Sequence, residues 1–283
     1  MSNIDYGKII ADTLKKDVLS KRSLPMIVTL ITAFAFIFLL TVNLISKFQG
    51  RFIEPFDIFI NFMFSFLILF FILFIFWILS LFFGGIVIKQ AGEDPKGVWI
   101  SLREGFGFIK NKILSMFFAG ILIGSISSLI DSSVYSVPYV GELLYLIISI
   151  LISLLVYVTY PYIILGDTGA INAISSSIQH FIENKLQIFI MWLLESVVSL
   201  VITVIFTIPF ILVFILSIIP NLFIYEQKYS ILFRRLSLID ILLMEPVFII
   251  AVITLIISVI GIGLAIVFSF GVSARYYNVA IGK

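Results

Sequence analysis

Long apolar runs, separated by short polar segments, make up most of this 283-residue chain. Each run is about 18 residues or more, the length that an α-helix needs to cross a hydrocarbon core about 30 Å thick. The stretches between runs reach at most about 27 residues, too short to fold as separate domains. We therefore expect one all-α integral membrane domain, residues 1–283, built as a polytopic bundle of six transmembrane helices. The runs cover about residues 24–46, 58–88, 113–130, 143–166, 186–219 and 247–272.

The first and fifth runs raise the question of how many helices they form. The first run, at about 23 residues, is longer than the apolar part of a cleaved signal peptide, and we interpret it as an uncleaved helix. The fifth run, 186–219, is long enough for two short helices. Between residues 200 and 212 it has no polar turn, only Thr203, Thr207 and Pro209. Because proline inside a membrane helix usually marks a kink, a single span is favoured over two.

Basic residues are distributed unequally between the two sides of this arrangement. With the N-terminus inside, 13 lysines and arginines fall on the inner side and 5 on the outer side. Because Lys and Arg collect on the cytoplasmic side of membrane proteins, we expect both termini in the cytoplasm of a multi-pass protein of the cell membrane. The last outer segment, with Lys228, Arg234 and Arg235, fits this orientation least well.

Apolar residues spaced three and four apart predict amphipathic helices in the polar segments 4–22, 94–112, 167–185 and 225–244. Such helices either lie along the membrane surface among lipid headgroups or cap the bundle and contact protein. The pattern leaves both interpretations open. The apolar positions are Ile10, Leu14 and Val18; Val98, Leu102, Phe106 and Ile109; Ile171, Ile174, Ile178 and Ile182; and Tyr225, Tyr229, Leu232, Leu236, Ile239 and Leu243.

Two of these segments resemble each other at an offset of 73 residues. Residues 108–112 (FIKNK) match residues 181–185 (FIENK), and Asp94 aligns with Asp167. The match predicts a parallel internal repeat of helix, surface helix and helix, with chance similarity as the alternative. Both aspartates open a surface segment and are predicted to cap its helix.

Composition removes several kinds of chemistry. Charged residues are 12% of the chain and hydrophobic residues 61%, which leaves too little polar surface for a soluble fold. The absence of cysteine excludes disulfides, thiolate nucleophiles and cysteine-ligated metals. The single histidine, His180, excludes a site built on a histidine pair. No basic run indicates a nucleic acid partner. We expect no metal, no cofactor and no enzymatic activity.

Glu195 is the acidic residue deepest in a predicted span. It lies nine positions into the fifth run, about 14 Å along a helix that begins at residue 186. A carboxylate there costs on the order of 2.5–3.5 kcal/mol, so it should face protein or water. Polar residues at multiples of four form a slowly rotating stripe with it: Gln187, Glu195, Ser199, Thr203 and Thr207. The stripe is a candidate cation or proton path; the alternative, which we favour, is a protonated Glu195 hydrogen-bonded between helices.

Small residues every four positions occur in the third and sixth runs. Small side chains let two membrane helices approach closely, so these positions predict helix packing within the chain or in a homo-oligomer. They are Gly120, Gly124 and Ser128 in the third run, and Gly261, Ala265 and Ser269 in the sixth.

Other polar residues have ordinary explanations. Asp131 and Glu142 bracket an outer loop without Lys or Arg, as the charge rule alone would produce. His180 is interpreted as a solvated residue on a surface helix. The residues after the sixth run, interpreted as interfacial anchors, are Arg275, Tyr276 and Tyr277.

One sequence segment resembles a known group of proteins. Residues 160–167 (YPYIILGD), leading into Ala173 and residues 175–177 (SSS), resemble a broad group of poorly characterised prokaryotic membrane proteins. These are related to the membrane domain attached to some glycerophosphodiester phosphodiesterases. The resemblance covers most of the chain and implies a six-helix fold. The phosphodiesterase activity of that group belongs to a separate barrel domain, so the resemblance implies no catalytic residue here.

These patterns favour a non-enzymatic membrane protein that binds membrane lipids or partner proteins and supports membrane organisation. The alternative is a small transporter or channel for a cation or a proton-coupled solute, with Glu195 on its path. The Ile- and Phe-rich, cysteine-free composition is typical of an AT-rich prokaryote.

Overall fold

The chain forms a helical bundle in a computed structural model, which describes residues 4–48, 55–93, 102–135, 140–224 and 245–281. No strand occurs within these ranges. A π-helical turn, Leu14–Val18, and a 3-10 turn, Lys21–Ser23, join the first two α-helices. The α-helices of the described ranges are α1 (Tyr6–Thr13), α2 (Leu24–Phe48), α3 (Pro55–Glu93), α4 (Leu102–Ile109), α5 (Ile113–Tyr135), α6 (Gly141–Leu155), α7 (Thr159–Ile164), α8 (Ala170–Glu183), α9 (Lys185–Ile224) and α10 (Glu245–Ile281).

Six segments of these helices are long and apolar enough to cross a membrane, which confirms the predicted all-α polytopic bundle. The spans are formed by α2, α3, α5, α6 with α7, α9 and α10. The fifth run is a single helix of 40 residues that continues through Pro209, as the sequence favoured. The sixth span, formed by α10, reaches Ile281, well beyond the predicted end of the sixth run at residue 272.

Two apolar clusters hold the bundle together. The first joins α10 to α9 and to the N-terminal segment, with Ile188, Phe268 and Val272 among its buried residues. The second lies where α3, α4, α5 and α7 meet, around Met116 and Ile163. Both clusters contain many residues near the same ends of the spans, where the short helices also pack. This end of the bundle is called the α8 end below.

The N-terminal segment contacts protein, which decides between the two interpretations of its amphipathic pattern. Ile9 and Val18 are buried in the first cluster, and Leu14 packs against it. Asp17 forms an ion pair with Arg275 near the end of α10. The described N- and C-terminal segments therefore lie together at the α8 end.

The helix α8 packs on the bundle mainly through a small and polar face, with Ile174 of its apolar face packed against the second cluster. Its buried residues are Ala173, Ser177 and His180. Ile171 and Ile182 on the predicted apolar face are 73% and 58% exposed. In α4, Ile109 is buried as expected but Phe106 is 59% exposed.

The predicted cap at Asp167 is wrong. Gly169 is the N-cap residue of α8, and Asp167 has a φ of 56°, a left-handed conformation. The side chain of Asp167 instead pairs with Lys112, which links the α7–α8 loop to the turn before α5. Several predictions fall outside the described residues: the cap at Asp94, the apolar position Val98 and the amphipathic segment 225–244.

The order of elements recurs as the proposed repeat requires. A span, a short helix and a span follow one another in α3, α4 and α5, and again in α6–α7, α8 and α9. The matched residues 108–112 and 181–185 both form the junction between a short helix and the next span. Common descent of the two units stays a prediction.

Candidate functional site

The fourth span breaks into α6 and α7, with a turn at residues 156–158. Pro161 explains the position of this break. A continuous helix would need a donor at residue 161 for the carbonyl of Tyr157, and proline has no N–H and sterically opposes that carbonyl. Ser177 of α8 enters the break, where its hydroxyl donates to the carbonyl oxygen of Leu155 at 2.8 Å and accepts from the N–H of Val158 at 3.3 Å.

Tyr157, placed in this break, contacts Glu195 of the fifth span. The Tyr157 hydroxyl lies 2.5 Å from Oε2 of Glu195. The hydroxyl of Ser269 on α10 donates to Oε1 of the same carboxyl group. Both carboxyl oxygens are therefore bonded, and the site joins the fourth, fifth and sixth spans.

Glu195 itself is buried, with 8% of its surface exposed. It lies ten residues into α9, about 15 Å from the start of the helix. An acidic group at this depth is expensive unless it is neutral or well bonded, and it usually faces the interior of the bundle. The two hydroxyl partners satisfy that requirement, so the arrangement fits a hydrogen-bonded contact between helices.

The predicted polar stripe rotates around α9, as its spacing of four residues requires. At 100° per residue, each step of four residues turns about 40°, so Thr207 lies about 120° around α9 from Glu195. Gln187, Thr203 and Thr207 are half-buried. The Ser199 hydroxyl is buried and has no hydrogen-bond partner within the described part of the chain. Within the described part of the chain, Glu195 is the residue of this stripe that contacts polar groups of two other spans.

The small residues of the sixth span lie in a tight contact with α9. A side chain added at Gly261 would collide with Phe206 of α9, and Ala265 is buried. Ser269, the third of these positions, donates the hydrogen bond to Glu195.

The third span shows the predicted close packing at one position of three. A side chain at Gly120 would meet Trp77 and the hydroxyl of Tyr160. At Gly124 the space is open, and Ser128 is exposed. These two positions face away from the other described helices, which leaves the homo-oligomer contact as a prediction.

His180 is a buried residue, contrary to the solvated position expected from the sequence. It is 7% exposed, and its ring lies edge-on to Tyr276 with 6.0 Å between ring centres. Burial lowers the pKa of His180, and the nearby carboxylate of Glu183 opposes this shift. The amide of Asn184 lies 3.4 Å from Nδ1 of the ring.

The expected interfacial anchors are also buried. Arg275 is 7% exposed, Tyr276 is fully buried and Tyr277 is 2% exposed. The Tyr276 ring contacts Tyr157 at 6.0 Å, so it lies between the break in the fourth span and His180. The interpretation as anchors is wrong because the N-terminal segment covers this end of α10.

A buried ion cluster at the α8 end is absent from the sequence predictions. Asp17 accepts from Arg22 at 2.6 Å and from two nitrogens of Arg275 at 2.8 and 3.1 Å. Arg22 also donates to the carbonyl oxygen of Gln90 at 3.4 Å. The partners lie 5 and 258 positions from Asp17 in the chain. The sequence signal that could have indicated this cluster is an aspartate, Asp17, within an amphipathic segment that packs on protein.

Of the predicted acidic outer loop, 131–142, residues 136–139 lie outside the described residues. Asp131 is half-buried at the end of α5, and Glu142 is exposed at the start of α6.

No family model, curated protein or solved structure matches this chain. The resemblance to the membrane domain of glycerophosphodiester phosphodiesterases therefore stays a prediction.

Proposed function

We propose that this chain is a non-enzymatic membrane protein that binds a membrane lipid in a groove at its α8 end. The groove lies between the first turns of α5 and the N-terminal end of α8. Its volume is about 820 Å³, within the range of small-molecule sites. This groove is the observation that carries the proposal.

The groove has an apolar side and a polar end, as a lipid requires. Leu114, Phe118 and Leu122 of the third span form the apolar side, and each of them is exposed. Because this wall belongs to a span, it is continuous with the hydrocarbon of the membrane. Ser115 and Asn172 supply polar side chains close to the first residues of α8. A lipid whose acyl chain lies on the apolar side would place its headgroup near the polar end.

Other exposed residues at the α8 end support the same interpretation. Ile182 of α8 and Leu186 of α9 are 58% and 70% exposed. Lys110, in the turn before α5, and Lys185, at the start of α9, are exposed. Exposed apolar residues with nearby lysines are typical of helices that lie among lipid headgroups.

Transport of a cation or a proton-coupled solute, with Glu195 on the path, is the second candidate function. The break in the fourth span favours it, because broken helices often form the binding sites of transporters. The two hydroxyl groups already bonded to Glu195 favour the first proposal, since they leave a helix contact rather than an open ion path.

For orientation, we propose that the α8 end faces the cytoplasm of the cell in which the chain resides. The excess of lysine and arginine on this side supports the orientation. The lipid groove would then open to the inner leaflet. Membership in the group related to the phosphodiesterase membrane domain is proposed on the residue pattern at 160–167.

Lipid binding is tested by native mass spectrometry of the purified chain with a matched pair of variants. We expect the chain to retain phospholipid or an archaeal lipid through purification. Ser115→Trp places a large side chain in the groove and should lower the lipid-bound fraction about tenfold, the effect of about 1.4 kcal/mol. Ser125→Trp makes the same change on an exposed part of α5 beyond the groove and should leave lipid retention unchanged.

Two results contradict the proposal. One is an unmodified chain that carries no lipid after gentle extraction from the membrane. The other is equal lipid retention by the two tryptophan variants, which would place the bound lipid elsewhere on the bundle.

A further inference from the structure

A line of polar side chains leads from Glu195 to the α8 end. Glu195 contacts the hydroxyl of Tyr157 at 2.5 Å. The ring of Tyr157 lies edge-on to Tyr276, with 6.0 Å between ring centres. The Tyr276 ring lies at the same distance and in the same manner from His180. The line therefore crosses from α9 through the broken span and α10 to α8.

Two atoms on this line have no hydrogen-bond partner among the described residues: the hydroxyl of Tyr276 and Nε2 of His180. Tyr276 is fully buried and His180 is 7% exposed. Buried polar atoms without a protein partner are usually bonded to ordered water. The two rings pack against each other, so both unpartnered atoms belong to side chains in direct contact.

The outer end of the line reaches groups that contact solvent. The hydroxyls of Tyr6 and Tyr162 are close enough to Tyr276 to interact with it electrostatically, and both residues are half-buried. Glu183, which is exposed, interacts in the same way with His180. Tyr276 and His180 therefore each interact with groups that are half-buried or exposed.

We propose that Glu195 exchanges its proton with water at the α8 end through Tyr157, Tyr276 and His180. Each hydroxyl releases one proton as it accepts another. The His180 ring takes up a proton at one nitrogen and releases one from the other. After a transfer, every intermediate group has its original proton count, and only Glu195 and the solvent have changed. Such exchange needs water-sized gaps rather than a cavity of ion width.

Proton access is independent of lipid binding, because the lipid groove is lined by α5 and the start of α8 and contains none of the residues on the proton path. A chain that binds no lipid can still exchange the Glu195 proton, and the reverse also holds. The two proposals therefore fail separately.

The test follows the carboxyl stretching band of Glu195 by infrared spectroscopy of the full chain in lipid nanodiscs. Transfer from H₂O to D₂O shifts this band when the proton is replaced by deuterium. The band is assigned by its absence in Glu195→Gln. We expect the shift to be complete before the buried backbone amides of the spans exchange.

Two phenylalanine variants separate the path from general packing. Tyr276→Phe keeps the ring contacts with Tyr157 and His180 but removes the hydroxyl, and it should slow the shift about tenfold or more, the scale of one lost hydrogen bond. Tyr277→Phe is the matched control, since this neighbouring ring packs on Tyr162 at 4.8 Å. It should leave the exchange rate unchanged. If Tyr276→Phe does not fold, His180→Phe interrupts the same line one residue further out.

Several outcomes overturn the proposal. A Glu195 band that shifts only with the buried amides means a dry contact. A fast shift that survives both Tyr276→Phe and His180→Phe means that the proton arrives by another route. Equal slowing in the Tyr277 control means that loss of a hydroxyl at either position has the same effect, so the rate does not report a path through Tyr276. The absence of a protonated Glu195 band at every pH tested overturns it as well.

Discussion

At the scale of single residues, Asp17 is the centre of the most heavily charged buried contact in the described part of the chain. Its two carboxylate oxygens bind Arg22 and Arg275 separately, and all three residues are buried. Removing a charge from a buried pair leaves the partner unpaired in a poorly solvated place, which is far more costly than losing an exposed pair. The cluster also joins the N-terminal segment to the end of α10. Asp17 therefore fixes the position of both.

Asp17→Asn should be strongly destabilising, because it leaves two arginines with one neutral amide between them. We expect the free energy of unfolding to fall by about 3–5 kcal/mol. The measurement is the fraction of folded protein after heating in detergent, followed by size-exclusion chromatography.

Asp12→Asn is the matched control for this change. Asp12 pairs with Lys16 at 3.1 Å on the partly exposed side of the N-terminal segment. An exposed pair of this kind contributes at most about 1 kcal/mol. Equal heat stability of the two variants would show that the Asp17 cluster does not hold the N-terminal segment.

The sequence predicted a site residue where that residue was unusual in its surroundings. It did not predict contacts between residues far apart in the chain. Glu195 stands out because an acid within an apolar run is rare. Its partners Tyr157 and Ser269 are 38 and 74 positions away. Their contact depends on how the fourth span breaks and how α10 is rotated. Pro161 could have located the break, since the loss of its N–H falls on the carbonyl of Tyr157.

At the scale of elements, α8 shows that the apolar face of a helix beside a membrane need not be the face that packs on the bundle. The sequence pattern selected the isoleucines, yet the bundle contacts Ala173, Ser177 and His180. In water, the apolar face must be covered by protein. Beside lipid, apolar residues gain little by leaving the hydrocarbon, and small residues allow closer contact between helices. The small and polar face of α8 therefore packs inward.

Ser177→Ala should loosen the break in the fourth span. The variant loses the donor to the partly buried carbonyl of Leu155 and the acceptor for the buried N–H of Val158. The expected cost is about 1–3 kcal/mol. Hydrogen–deuterium exchange of the peptide covering residues 155–160, read by mass spectrometry, should become about tenfold faster or more.

Ser175→Ala makes the same change at an exposed position of α8 and should leave this exchange unaltered. Unchanged protection of residues 155–160 in Ser177→Ala would mean that α7 holds the break closed without the Ser177 hydroxyl.

At the scale of the whole molecule, the number of spans was predictable because it depends on length and apolarity alone. A run of 18 or more apolar residues has few alternatives to a membrane helix. The ends of the spans were less predictable. Polar residues such as Arg275 ended the sixth run in the sequence, yet α10 continues to Ile281 because the N-terminal segment covers them. That contact joins opposite ends of the chain, so no local pattern could reveal it.

The same contact bears on the topology independently of the charge count, which also places both termini on one side. Because Asp17 binds Arg275, the N- and C-terminal segments must lie on one side of the membrane. The chain has no cysteine, so single cysteines can be introduced at the exposed positions Lys8 and Val279. A membrane-impermeant thiol reagent should label neither site in intact cells and both after permeabilisation. Glu142→Cys, exposed at the opposite end of the bundle, should be labelled in intact cells.

Labelling of both terminal sites in intact cells would reverse the orientation inferred from Lys and Arg but keep the fold. Labelling of only one would contradict the ion pair itself, since its two segments would then lie on opposite sides of the membrane.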